Sequence, residues 1–139
     1  MPRFSPVVLA CLLAASPALA GSESDEEKLE ICAEAEERYV ELFGAPSSEA
    51  EGVTVVTMYK YNFCPAELTV KVGTTVRWVN VDKRTSHSVL VKNSGEPESD
   101  RAFPEETIEF TFMIPGPQDY LCGPHWETQN MIGMVTVEE

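Results

Sequence analysis

The sequence predicts an all-β domain, an antiparallel sandwich or barrel, with one additional helix on its N-terminal side. Three observations predict it. From Val53 onward, apolar and polar residues alternate in short segments that Gly and Pro separate. Ahead of Val53, apolar residues recur at helical spacing instead. The chain has 139 residues, enough for one domain with a single core.

The N-terminal end is set apart first. Arg3 gives a positive start, residues 7–13 are apolar, and Ala18-Leu19-Ala20 offers the small-x-small pattern of a cleavage site. Residues 1–20 therefore read as a secretory signal cut after Ala20. The apolar stretch is well short of the roughly 20 residues that span a bilayer. The alternative is a lipoprotein site at Cys11, loosely matched by Leu9-Ala10-Cys11. No other stretch could cross a membrane. The signal itself is what leads to an expected periplasmic product.

Residues 1–20 hold Arg3 and no acid, so their removal takes the net charge from −13 to −14 with both histidines neutral. A chain this acidic will not seek nucleic acid or an anionic membrane surface. Its field favours a partner with a basic docking surface, and it also keeps the protein soluble. Cys11 leaves with the signal. Cys32, Cys64 and Cys122 remain, an odd number for an oxidising compartment, so at least one does something other than pair within the chain.

The elements follow in order. Residues 24–43 predict a helix. Ser24 with Glu27 three residues on is a capping box, Leu29, Cys32, Tyr39, Val40 and Phe43 share helical spacing, and Gly44 is a natural stop. Residues 45–52 carry turn chemistry and form a linker, so residues 21–52 make a helix-and-linker unit ahead of a domain at 53–139. Val53, Val55, Tyr59, Tyr61 and Phe63 share one parity of an extended segment. Leu68, Val70 and Val72 alternate up to Gly73, and Val76, Trp78 and Asn80 follow. Val89 and Val91 start another strand. Residues 92–106 are polar and contain Pro, which predicts mostly loop. Ile108, Phe110 and Phe112 alternate until Pro115-Gly116-Pro117 ends the run. Tyr120-Leu121-Cys122 is short, and Val135 and Val137 close the chain.

The chemistry is concentrated in few residues. The chain has two histidines: His125, three residues after Cys122, and His87, between two predicted strands. Met131 and Met134 follow His125 closely. Singly, each has a plainer explanation: Cys122 as a buried thiol, Met131 as a core filler, His87 as a surface histidine. Together, a thiolate, two imidazoles and a thioether are the ligand set of a blue-copper electron-transfer site, where soft sulfur stabilises Cu(I) and imidazole serves both oxidation states.

The segment Tyr61-Asn62-Phe63-Cys64-Pro65-Ala66-Glu67-Leu68-Thr69-Val70-Lys71-Val72-Gly73, then Val76-Arg77-Trp78-Val79-Asn80 and His87, resembles the first half of a plastocyanin-like or pseudoazurin-like cupredoxin. Tyr120-Leu121-Cys122-Gly123-Pro124-His125, then Met131-Ile132-Gly133-Met134-Val135-Thr136-Val137, resembles its metal-binding end. The resemblance covers about residues 53–139 and omits the helix. It implies a cupredoxin-like Greek-key β-sandwich binding one copper ion at one end, with His87, Cys122, His125 and Met131 as ligands. Two departures stand out. Five residues separate His125 from Met131 where plastocyanins have four. Counting from the last strand selects Met131, with Met134 and Gln129 as the other axial candidates. Ser88 follows His87 where plastocyanins have Asn, so the hydrogen bond tying the two ligand loops would be made differently.

In such a fold, electrons leave by the edge of the second histidine through an apolar patch. Pro124, Trp126 and Ile132 are placed to form that patch, with an inward-folded Trp126 as the alternative. Cys64 has the opposite parity to Phe63. If Phe63 faces the sandwich interior, Cys64 faces out and could meet Cys32 on a helix lying there. A disulfide closing about 30 residues would add roughly 3–4 kcal/mol on the chain-entropy argument. A free or intermolecular thiol and a second metal ligand are the alternatives.

The function expected is that of a monomeric periplasmic electron carrier between redox proteins, such as a c-type cytochrome or an oxidoreductase. A copper chaperone or buffer protein is the alternative, suggested by Met134 and the lengthened loop. An enzyme is not expected, because both histidines are already used and no second imidazole-rich centre can form. A zinc site with Cys, two His and an acid fits the ligand count less well, given the methionines.

Overall fold

The computed structural model describes residues 24–139. The signal expected at residues 1–20 lies outside the described residues. Among them, a helix α1 (Asp25–Phe43) precedes eight strands and two short helical turns. The predicted caps of α1 are present. The Ser24 side chain accepts from the Glu27 backbone N–H, the Glu27 carboxylate reaches back to the Ser24 N–H, and Gly44 closes the helix in the left-handed region with φ 81°.

The strands are β1 (Thr54–Tyr59), β2 (Asn62–Cys64), β3 (Glu67–Lys71), β4 (Thr74–Asn80), β5 (Leu90–Val91), β6 (Thr107–Phe112), β7 (Gly116–Leu121) and β8 (Ile132–Glu138). They form two four-stranded sheets, ordered β2-β1-β4-β6 and β3-β8-β7-β5. This is the expected sandwich rather than a closed barrel. The expected pairing is corrected. β1 runs parallel to β4, and β3 parallel to β8, while the remaining pairs are antiparallel. Alternation reports which face a residue takes, not the direction of its neighbour.

Three local expectations are also corrected. The segment after Val53 is two strands, not one. Lys60 and Tyr61 both take positive φ, 46° and 62°, and turn β1 back onto β2 as a two-residue hairpin. The interior parity of β1 is therefore that of Val56 and Met58, both fully buried, whereas Val55 and Tyr59 face α1. On α1, the packed stripe is Cys32, Ala35, Tyr39 and Leu42, while Leu29, Val40 and Phe43 are exposed. A helix lying on one sheet face buries a narrow stripe, and small Ala35 lets it sit close. Finally, β7 begins at Gly116 and contains Pro117. β5 pairs only with Tyr120 and Leu121, so the missing N–H of Pro117 falls on an uncovered length of the strand.

The interior between the sheets holds Trp78, Tyr120, Phe63 and Phe112, with Val56, Met58, Val76 and Val135 around them. Each fully buried side chain of this size contributes about 1.5–3 kcal/mol by burial. The Tyr120 ring packs edge-on against Phe63 at 4.7 Å and Trp78 at 5.2 Å between centroids. Gly133 lies against that ring, where a Cβ would collide with it. A second cluster, with Val79, Val81 and Cys64, joins the outer face of the first sheet to α1. There the Cys32–Cys64 disulfide bonds helix to strand, with Cα atoms 5.4 Å apart. Phe63 faces inward and Cys64 outward, as the parity argument required.

Candidate metal centre

Two connections meet at one end of the sandwich. The first runs from β4 to β5 and carries His87. The second runs from β7 to β8 and carries Cys122 and His125. His87 is fully buried and is held on both sides by backbone bonds with Ala102, at 3.0 and 2.8 Å. Cys122 is also fully buried and is a free thiol. Its Sγ lies 3.8 Å from His87 Nδ1 and 3.4 Å from His125 Nδ1. One donor atom from each of the three residues falls within 4.8 Å of the others. A thiolate sulfur and two imidazole nitrogens aimed at one point form a donor set suited to copper or zinc.

Met131 is 1 % exposed and belongs to the same buried cluster as Cys122. The five residues between His125 and Met131 are taken up by a single helical turn, α2 (Trp126–Gln129), which the sequence did not reveal. Asn130 follows in the left-handed region, with φ 51°, and reverses the chain. Gln129 is exposed. Met134 lies within β8, opposite Asp119 and Glu67, with its N–H bonded to Ala66. Of the three axial candidates, Met131 alone is buried beside Cys122. A thioether is a soft donor that suits copper better than zinc, so Met131 is the candidate for a fourth ligand.

Each imidazole has a defined surrounding. His87 Nε2 lies 2.5 Å from Asp82 Oδ2. Burial opposes a charged His87, but the hydrogen bonds and charges of Asp82 and Cys122 outweigh it and raise its pKa. His125 is half-buried, and burial together with the charges of His87 and Arg101 holds its pKa below the usual value. The neutral ring is the form that binds metal.

The two connections are tied through Ser88, whose hydroxyl accepts the Gly123 N–H at 3.0 Å. The bond made by Asn in plastocyanins thus has a counterpart here made by Ser. Gly123 also lies against the Glu98 carboxylate, which a Cβ would strike.

Apolar side chains close to His125 in the chain are open to solvent. Trp126 is 42 % exposed and Ile132 47 %, so Trp126 does not fold inward. Sequence reasoning missed a third, Tyr61. Its ring lies edge-on to His125 at 4.9 Å and to His87 at 6.4 Å. The turn that places it, Lys60-Tyr61, has neither Gly nor Asn, so no turn signal marks it. Asp82 was missed as well, because a single acid ahead of Lys83 and Arg84 looks like any solvated surface residue.

The family model of copper-binding proteins of the plastocyanin/azurin family matches residues 50–138. Amicyanin-alpha of Methylorubrum extorquens is 34 % identical over 91 residues, which are 63 % of this chain and 73 % of that protein. Halocyanin of Natronomonas pharaonis is 39 % identical over 85 residues, 56 % of this chain, and the match spans only about half of halocyanin, 49 %. Among solved structures, a reduced Cu(I) form of an amicyanin mutant at pH 4 is 35 % identical, with a TM-score of 0.56. The match covers 66 % of this chain and 89 % of that one.

Proposed function

Since the chain belongs to the plastocyanin/azurin family of copper-binding proteins, we propose that it carries single electrons between redox proteins in the periplasm, with His87, Cys122, His125 and Met131 holding its copper. Bound there, copper supplies a one-electron change between Cu(I) and Cu(II). The observation that carries this reading is the convergence of the Cys122 sulfur and two imidazole nitrogens within 4.8 Å. The chain's own residues do the rest. Burial of His87, Cys122 and Met131 excludes water from three donors, and the loop bonds fix their positions before any electron arrives. The half-exposed His125 ring, flanked by Tyr61, Trp126 and Ile132, offers the short route to a docked partner. A brief apolar contact suits a complex that must release quickly.

Export is supported by the signal pattern of residues 1–20 and by the Cys32–Cys64 disulfide, which fits an oxidising compartment. A net charge of −13 for the full chain favours a partner with a basic surface, such as a c-type cytochrome. No helix among the described residues is long and apolar enough to cross a membrane. The copper-loaded protein is expected to show an intense visible thiolate-to-copper band that disappears on reduction, and fast electron self-exchange. A colourless Cu(II) form would refute the reading. Slow self-exchange with rapid copper transfer to an acceptor would favour a copper chaperone instead.

A further inference from the structure

We propose that Asp82 is a positioning residue that fixes the aim of His87 and biases the site toward its oxidised state. The inference rests on His87 being a copper ligand.

The geometry is specific. An imidazole that binds metal through Nδ1 has one nitrogen left, and its partner decides the tautomer and the ring orientation. In His87 that nitrogen is Nε2, 2.5 Å from Asp82 Oδ2, while Nδ1 faces Cys122. A carboxylate only accepts, so the proton belongs on Nε2 and the lone pair of Nδ1 is left free toward Cys122.

Asp82 is itself held. It is 7 % exposed, its Oδ1 accepts the Lys60 N–H at 3.2 Å, and its own N–H donates to Asn80 Oδ1 at 2.9 Å. Asn80 is fully buried and donates to the carbonyls of Thr85 and Ala102, at 2.7 and 2.9 Å. Ala102 in turn exchanges both backbone bonds with His87. The carboxylate and the histidine it aims therefore belong to one buried network, anchored through Lys60 to the turn that carries Tyr61.

The charge follows from the same arrangement. Cu(II) with the Cys122 thiolate and the Asp82 carboxylate is neutral in sum, and gaining one electron leaves a net negative charge in a buried place. No bond is made or broken, and no proton need move. A fixed negative charge one imidazole away thus favours Cu(II), more strongly in the interior than in water.

The test is the reduction potential of copper-loaded wild type, Asp82→Asn and Asp82→Glu, titrated at one pH, with the visible spectrum recorded alongside. Asp82→Asn keeps an acceptor for Nε2–H and removes the charge. It should retain the thiolate band and shift the Cu(I)/Cu(II) ratio about tenfold toward Cu(I), the scale of outer-shell effects, which is about 59 mV for one electron. Asp82→Glu, which keeps the charge, should lie nearer wild type. An unchanged potential in Asp82→Asn overturns the proposal. Should neither variant fold, NMR of the diamagnetic Cu(I) wild type decides. A far-downfield, slowly exchanging proton on His87 Nε2 is expected, and its absence overturns the proposal. His87→Ala tests the ligand reading separately, because a thiolate band unaltered in that variant refutes His87 as a ligand whatever Asp82 does.

Discussion

The Cys122 N–H donates to the Met131 carbonyl at 3.0 Å, so the two ends of the segment bearing Cys122, His125 and Met131 are pinned together. Inside that closure, Gln129 and Met131 both donate their N–H to His125, at 3.0 and 3.3 Å. The longer loop is thereby wound up rather than left slack.

Met131 is accordingly the axial residue to test. Met131→Ala should alter the visible and EPR spectra and lower stability by about 2–5 kcal/mol, the range for emptying a buried methionine site. Met134→Ala and Gln129→Ala should leave both spectra as in wild type. Spectra of the three copper-loaded variants, with urea unfolding of each, check this.

The helix and the copper end should separate energetically. Replacing Cys32 and Cys64 together by Ser should cost roughly 3–4 kcal/mol by loss of the loop constraint. The thiolate band should be unaffected, because the disulfide joins α1 to β2 and contributes no donor to the centre. Thermal unfolding and an absorption spectrum of the double variant measure both.

Ser88→Ala should loosen the contact between the connections that carry His87 and Cys122. It leaves the Gly123 N–H without its 3.0 Å acceptor, at a cost of about 1–3 kcal/mol. Amide exchange at Gly123 should quicken more than exchange in β1 or β8. Hydrogen-exchange NMR distinguishes this local loss from general destabilisation.

A pH test concerns the ion pair of Lys60 with Glu34, 2.6 Å apart, which links the β1–β2 turn to α1. The hydrogen bond and charge of Lys60 hold the Glu34 pKa below 4.5, and the hydrogen bond to Glu34 raises that of Lys60 above 10.5. A lowered carboxyl pKa stabilises the fold above its unfolded value and ceases to do so as pH falls through the folded value. A raised ammonium pKa stabilises below its unfolded value and is lost as pH rises through the folded one. Glu34→Gln should therefore lower the melting temperature slightly at neutral pH and flatten the decline below about pH 4. Both groups are exposed, so added salt should shrink the difference. Melting curves of wild type and variant across pH check it.

The sequence carried some features openly and hid others, for physical reasons. Ser24, Glu27 and Gly44 act through local backbone bonds, so the ends of α1 could be read from neighbours in the chain. Cys122 and His125 are close in sequence and close in space. The Lys60-Tyr61 turn offers no such sign, since its left-handed backbone is imposed by the strands on either side. With that turn unseen, Val55 is read on one parity with Phe63, whereas Val56 shares the interior with Phe63. Asp82 is equally silent, because its role depends on a ring five residues away and on Asn80 holding its backbone. The parallel pairings of β1 with β4 and β3 with β8 join segments far apart in the chain, which alternation alone cannot relate.

The place of β8 between β3 and β7 has a consequence in time. The last of the eight strands in chain order is an inner member of its sheet, and the segment holding Cys122, His125 and Met131 is stretched between it and β7. Until that strand slots in, the second sheet is split, and the sulfur and both imidazoles have no common point to face. Assembly governed by such distant pairing is slow. Metal capture is thus a closing event of maturation, open only to a chain in which β8 already lies between β3 and β7.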